Sequence, residues 1–263
     1  MEIQAVPALS LAGVICTIIL SIGLPIMLIV VGKKKFGARI STFFIGAGTF
    51  VLFALVLEQI LHMVVMGVCG LSQDSNEWLY YIYAAAAAAV FEESGRIIAM
   101  KCFMKSRFNF SNAFMYGVGH GGIEAIVLGG LTGISNLTNM LMINSGSMET
   151  VLAALPDDVK NKTLTQISAL WTTNSGLFFA AGIERVSALA LQIGLSLIIY
   201  NGLKSDKKPL VLLAYCIHFA VDFFAVVGAS RLPIAVVEII IMLMAAGTLA
   251  FAHRLGKENK NSL

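Results

Sequence analysis

Charged residues are scarce in this sequence: Asp, Glu, Lys and Arg make up 13% of its 263 residues, against 58% hydrophobic residues. A soluble domain carries about a quarter charged residues, so a water-soluble globular protein is excluded. Cysteine is sparse too. Cys16, Cys69, Cys102 and Cys216 stand far apart with no CxxC pair, which excludes a disulfide framework and a thiolate zinc site. The opening stretch "MEIQAVPALS" has no basic residue, and the first basic cluster follows the first apolar run. That order is the reverse of a cleaved secretory signal, so the run is expected to persist as a helix. Alternating apolar and polar residues are missing, which excludes a membrane β-barrel. No internal repeat is visible, which speaks against the paired repeats of many transporters. The net charge of +3 reflects loop composition, so no nucleic-acid partner is expected.

What is present is apolar length. About 20 apolar residues span the roughly 30 Å hydrocarbon layer, and seven stretches qualify: 9–31, 40–67, 79–100, 113–134, 176–200, 210–229 and 232–253. Backbone groups in lipid must be bonded within the segment. The expected fold is therefore all-α, a polytopic helical bundle of about seven transmembrane helices forming one integral membrane domain over residues 1–263. Lys and Arg collect in "KKKFGAR", "KCFMKSRFN", "NGLKSDKKP" and "HRLGKENKNSL", while the alternate connections hold only Lys160, Lys162 and Arg231. This bias predicts an outside N-terminus and a cytoplasmic C-terminus. The long connection 135–175 reads as an extracytoplasmic amphipathic loop of two short helices, "SMETVLAAL" and "TLTQISALW", with "PDDVKNK" as a polar break.

Twelve ionisable residues fall inside these spans: Glu58, His62, Glu92, Glu93, Arg96, His120, Glu124, Glu184, Arg185, His218, Asp222 and Glu238. Each costs a few kcal/mol at the centre of a lipid-facing helix, so they must face one another. Counted from the cytoplasmic ends, Glu92 lies eight residues in from Met100, His120 seven from Ala113 and His218 eight from Leu210. These distances place the three at one level, roughly 10–12 Å deep. Glu92 and Arg96, His120 and Glu124, and His218 and Asp222 are i,i+4 pairs, each on one helix face. Gly117, Gly119, Gly121 and Gly122 crowd His120 and admit a close backbone or a substrate. Glu58, His62, Glu184 and Arg185 fall in the outer half and read as mutually neutralising; the sequence leaves the roles of Glu58 and Glu238 unexplained.

A glutamate, two histidines and a further carboxylate at one depth can activate water, bind a metal or relay protons. For zinc, His120, His218 and Glu124 form a conceivable ligand set, although HExxH is absent. The residues alone do not choose among these chemistries.

The runs "FEESGR", "YGVGH" and "HFAVD" resemble the three motifs of the intramembrane protease superfamily that includes type II CAAX prenyl proteases, bacteriocin-processing and immunity proteins and PrsW-type proteases. Their order and spacing are most similar to the YhfC-like membrane peptidase family. The match covers the four core helices, 79–229. Two features differ from the prenyl proteases: EExxR stands in place of EExxxR, and Asp222 stands where many relatives have Asn. The resemblance implies a glutamic-type intramembrane endopeptidase, multi-pass in a bacterial plasma membrane. It would cut a peptide or membrane-anchored protein at a site open to the cytoplasm. Glu92 and His120 would then activate water, while His218 and Asp222 stabilise the tetrahedral intermediate. Arg96 would orient and partly neutralise the acid pair, and Glu93 would support it. No cofactor is expected on this reading, with zinc as the alternative; outside catalysis, the alternative is a membrane scaffold or a proton-coupled transporter.

Overall fold

The computed structural model describes residues 3–261, and among these there are helices and turns but no strand. Nine helices follow in order: α1 Ala8–Phe36, α2 Ile40–Val68, α3 Glu77–Phe103, α4 Phe110–Asn144, α5 Ser147–Ala153, α6 Asp157–Thr172, α7 Ser175–Lys204, α8 Lys208–Arg231 and α9 Ile234–Asn261. Six of them, α1, α2, α4, α7, α8 and α9, are long and apolar enough to cross a membrane. The chain is an integral, multi-pass membrane protein. The seventh expected span is α3. Its 27 residues are long enough, but Glu92, Glu93 and Arg96 take it below the apolarity of the other six.

The connection after the fourth span differs from expectation. Residues 135–144 continue α4 as helix because Met140 and Ile143 are buried in an apolar cluster with Val6, Met148, Leu152 and Trp171. Asn144 closes the turn above it, accepting a hydrogen bond at Oδ1 from the Val6 main-chain N–H at 2.7 Å and donating from Nδ2 to the Val6 carbonyl at 3.1 Å. Gly146, at φ 77°, then reverses the chain with backbone dihedrals that a side chain would strain. Two amphipathic helices follow as anticipated. The polar break, however, is shorter than "PDDVKNK": Pro156 caps α6, and Asp157 and Asp158 sit in its first turn, where carboxylates favour the helix N-terminus.

The helices form two compact units. One comprises the described residues through Leu24 together with Ala125–Val186, and its core is the apolar cluster named above. In it Thr17 Oγ1 donates to the Phe178 carbonyl at 2.5 Å, and Gly13 leaves room for the Phe178 side chain. The second unit comprises Pro25–Glu124 and the described residues from Ser187 onward. There α7 is buried on every side from Leu191 to Asn201, as expected of a helix apolar all round. The alanine-rich stretch of α3 buries Ala85, Ala87 and Ala89, and small side chains are what let membrane helices approach closely.

Glycine sets the spacing within this second unit. A Cβ on Gly46 of α2 would overlap the Tyr116 carbonyl of α4, and one on Gly119 of α4 would overlap the Phe43 carbonyl of α2. Gly117 and Gly121 press against Ile193 and Gln192 of α7, and Gly122 against Pro25 of α1. The glycines around His120 therefore face neighbouring helices, which accounts for their crowding by packing alone. Because a backbone carbonyl cannot move aside as a side chain can, Gly119→Ala and Gly46→Ala should each lower stability by about 1–3 kcal/mol or more. Gly48→Ala and Gly247→Ala, where a Cβ meets open space, should be neutral or slightly stabilising. Thermal unfolding of the purified variants in detergent checks the contrast.

Candidate active site

Four helices of the second unit bring the predicted residues together. Glu92, Glu93 and Arg96 come from α3, His120 and Glu124 from α4, and His218 and Asp222 from α8; α7 adds Gln192 and Ser196. Glu93, Arg96 and His120 are fully enclosed, and Glu92 and His218 nearly so. Asp222 is the more open member, with 31% of its side chain exposed.

His120 Nε2–H donates to Glu92 Oε2 at 2.8 Å, and His218 Nε2 stands 4.0 Å from that same oxygen. Glu92 Oε2 also accepts from Gln192 Nε2 at 2.9 Å, so the polar contacts of Glu92 fall on one carboxylate oxygen. His218 Nδ1–H donates to Glu93 Oε1 at 2.8 Å, and its Nε2 lies 3.3 Å from Asp222 Oδ2. The expected convergence of Glu92, His120 and His218 is thus present in the geometry, as is the pairing of His218 with Asp222.

In two of the i,i+4 pairs the side chains bond to other partners. Arg96 forms its ion pair with Glu93, Nε to Oε2 at 3.0 Å, at i,i+3 rather than with Glu92. Its remaining donors turn to α7: Nη1 to the Gln192 carbonyl at 2.8 Å and to Ser196 Oγ, and Nη2 to Gln192 Oε1 at 2.5 Å. Glu124 Oε2 accepts from Gln192 Nε2 at 3.0 Å, and the carboxylate against His120 is that of Glu92.

Gln192 and Ser196 were not singled out from the sequence. The signal is present in "ALQIGLS", where one amide interrupts a long apolar helix, but a neutral side chain lacks the burial cost that marks an ionisable one. Glu58, expected in the outer half, is a second departure. It pairs with His62 at 3.2 Å, and His62 Nδ1 meets the Tyr83 hydroxyl at 2.8 Å. Glu58 also lies within electrostatic reach of Glu92, Asp222 and His218, so it borders the site rather than sitting apart in an outer layer. Depth counted along a straight helix fails for α2, whose Val51–Glu58 stretch is widened to π-type turns. Glu184 pairs with its neighbour Arg185, and Glu238 is half-buried on α9.

Among the described residues no group of three or more His, Cys, Asp and Glu side chains is spaced as a formed metal site. The donor types nonetheless fit zinc, which takes imidazole nitrogen and carboxylate oxygen. His218 has the support typical of a metal-bound histidine: Nδ1–H is tied to Glu93, and Nε2 is directed at two further carboxylates. His120 fits less well. Its Nε2 is closed onto Glu92, and its buried Nδ1 has no hydrogen-bond partner, where a ligating imidazole ordinarily anchors that second nitrogen.

A buried carboxylate flanked by imidazoles from separate membrane helices is compatible with hydrolysis, and the family match supplies the class: the chain is an intramembrane protease. More narrowly, it belongs to the YhfC family: the family described as "YhfC intramembrane metalloprotease" matches residues 20–241. The chain is also 38% identical over 248 residues to "Uncharacterized membrane protein YhfC" of Bacillus subtilis (strain 168), covering 92% of this chain and 93% of that protein. No solved structure matches the chain. The family description agrees with the zinc alternative and gives the metal-free expectation no support.

Arg96 offers a direct test of how the cluster is held. Arg96→Met should leave Glu93 buried without its cation and cost about 3–5 kcal/mol. Chemical unfolding of the reconstituted protein, compared with wild type, measures the loss.

Proposed function

We propose that this protein is a zinc-dependent intramembrane endopeptidase whose reaction centre is Glu92, His120, His218 and Asp222. The observation that carries the reading is the meeting of α3, α4 and α8 at one carboxylate oxygen, Glu92 Oε2, with His120 Nε2 at 2.8 Å and His218 Nε2 at 4.0 Å. His120, His218 and Glu92 would hold the metal, with Asp222 alongside, and Glu92 takes the place that Glu124 had as the carboxylate of the ligand set. When bound, the zinc supplies a water acidified to near neutrality and a Lewis acid for the scissile carbonyl. Glu92, whose polar contacts fall on Oε2, would act from Oε1 as the base that takes a proton from the attacking water as the water oxygen bonds to the carbonyl carbon. The same proton then passes to the amide nitrogen as the C–N bond breaks. Asp222, the exposed member, orients His218 from the entry side, while Glu93 and Arg96 hold its far nitrogen.

A metal-free, glutamic-type reaction is the second reading, favoured by the closed His120–Glu92 hydrogen bond and the unanchored His120 Nδ1. In it Glu92 is the base, His120 orients the water, and His218 faces the oxyanion. The substrate on either reading is a peptide or membrane-anchored protein within the lipid bilayer. The motif order supports placing the family with the CAAX prenyl and bacteriocin-processing proteases, in a bacterial plasma membrane.

Purified protein should contain about one equivalent of zinc and cleave fluorescein-labelled casein, and chelation should abolish cleavage. Glu92→Gln and His218→Ala should reduce cleavage at least about 100-fold in folded protein. Full activity without metal would select the second reading, and wild-type activity in both variants would remove this site from the reaction. The Lys and Arg bias supports an outside N-terminus and a cytoplasmic C-terminus. Cys69 and Cys102 are both exposed and lie at opposite ends of the bundle on that topology. A membrane-impermeant maleimide applied to intact cells should therefore label Cys69 and spare Cys102; the reverse pattern inverts the orientation.

A further inference from the structure

Gln192 makes more contacts in the cluster than any catalytic step requires of it. Its Nε2 donates both hydrogens to carboxylates, Glu92 Oε2 at 2.9 Å and Glu124 Oε2 at 3.0 Å, and its Oε1 accepts from Arg96 Nη2 at 2.5 Å. These partners leave one possible orientation of the amide. A guanidinium has only donors to offer, and an ionised carboxylate only acceptors, so rotating the amide would put like against like on both sides. The residue is 3% exposed, and burial raises the cost of any such mismatch.

Arg96 lies within one helical turn of both Glu92 and Glu93, so either could take its charge. It pairs with Glu93 at 3.0 Å, while its Nη2 is committed to Gln192 Oε1, on the side where Glu92 is held by Gln192 Nε2. We propose that Gln192 is a positioning residue that assigns different tasks to two adjacent glutamates, keeping Arg96 on Glu93 and presenting Glu92 to the two histidines. Glu93, paired with the cation, is left to hold His218 Nδ1. Glu92, held by a neutral amide, keeps its charge for a metal or a proton. This inference rests on the site reading given above.

The test uses full-length protein in detergent, with zinc alone titrated against a competing fluorescent chelator and casein cleavage measured in parallel. Gln192→Leu and Gln192→Met should weaken zinc binding, lower kcat, or both, by 10- to 100-fold with little change in KM, as is typical for a group behind a metal ligand. Thermal unfolding identifies which of the two variants is folded well enough to compare. In a Glu92→Gln background the same Gln192→Leu change should alter zinc affinity less than about threefold, because its route of action is already gone. An equal loss in both backgrounds would show general disruption and overturn the proposal. So would a folded Gln192→Leu protein that binds zinc and cleaves like wild type, while Glu92→Gln does not; that outcome leaves the site reading standing. A wild-type protein that neither binds zinc nor cleaves overturns the site reading and this inference together.

Discussion

Arg96 is fully enclosed, and an enclosed guanidinium is tolerated only when an opposite charge and hydrogen-bond acceptors are brought to it. Much of the second unit follows from that requirement. Glu93 neutralises the charge, the Gln192 carbonyl and side chain take two donors, and Ser196 takes a third contact. Meeting these demands draws α7 against α3 in one register, since a shift of one residue would move the amide and the hydroxyl off the guanidinium together. With α7 so placed, Gln192 reaches Glu92, and Glu92 reaches His120. The polar cluster, the proposed site of chemistry, is thus also the device that fixes the positions of three helices in an environment where apolar contacts alone discriminate little.

The long apolar runs made the helices legible, and lipid made them obligatory, since no other secondary structure satisfies its own backbone there. Where expectation and structure part, a competing interaction is visible. Residues 135–144 looked polar enough to be a loop, but Met140 and Ile143 have an apolar cluster to enter, and burial extends α4 through Asn144. The break before α6 shrank because Pro and two Asp residues suit the start of a helix better than a linker. α3 was legible as a helix long enough to cross, while its charged residues set it apart from the six apolar ones.

Of the site, the part written in ionisable residues at helical spacing could be read directly: Glu92, His120 and His218 at one depth, and Asp222 one turn beyond His218. What could not be read was the choice among partners on a face. Arg96 can reach either glutamate, and the preference for Glu93 is decided by side chains on α7, roughly a hundred residues away in the chain. The glycines beside His120 presented the complementary ambiguity, because a gap in sequence does not reveal whether a substrate or a neighbouring helix fills it. Here the Phe43 carbonyl and α7 fill it.

The ion pair of Glu93 with Arg96 joins two residues of the same helix, and this matters during synthesis. As α3 leaves the ribosome, α7 and α8 do not yet exist, so the partners they provide cannot help it enter the bilayer. A cation and an anion one turn apart can neutralise each other at once, lowering the cost of inserting the least apolar of the long helices. The proposed reaction centre, by contrast, draws on α8 and stays incomplete until that helix has been translated. A nascent protease built this way has no working centre to turn on its neighbours while it is still being made.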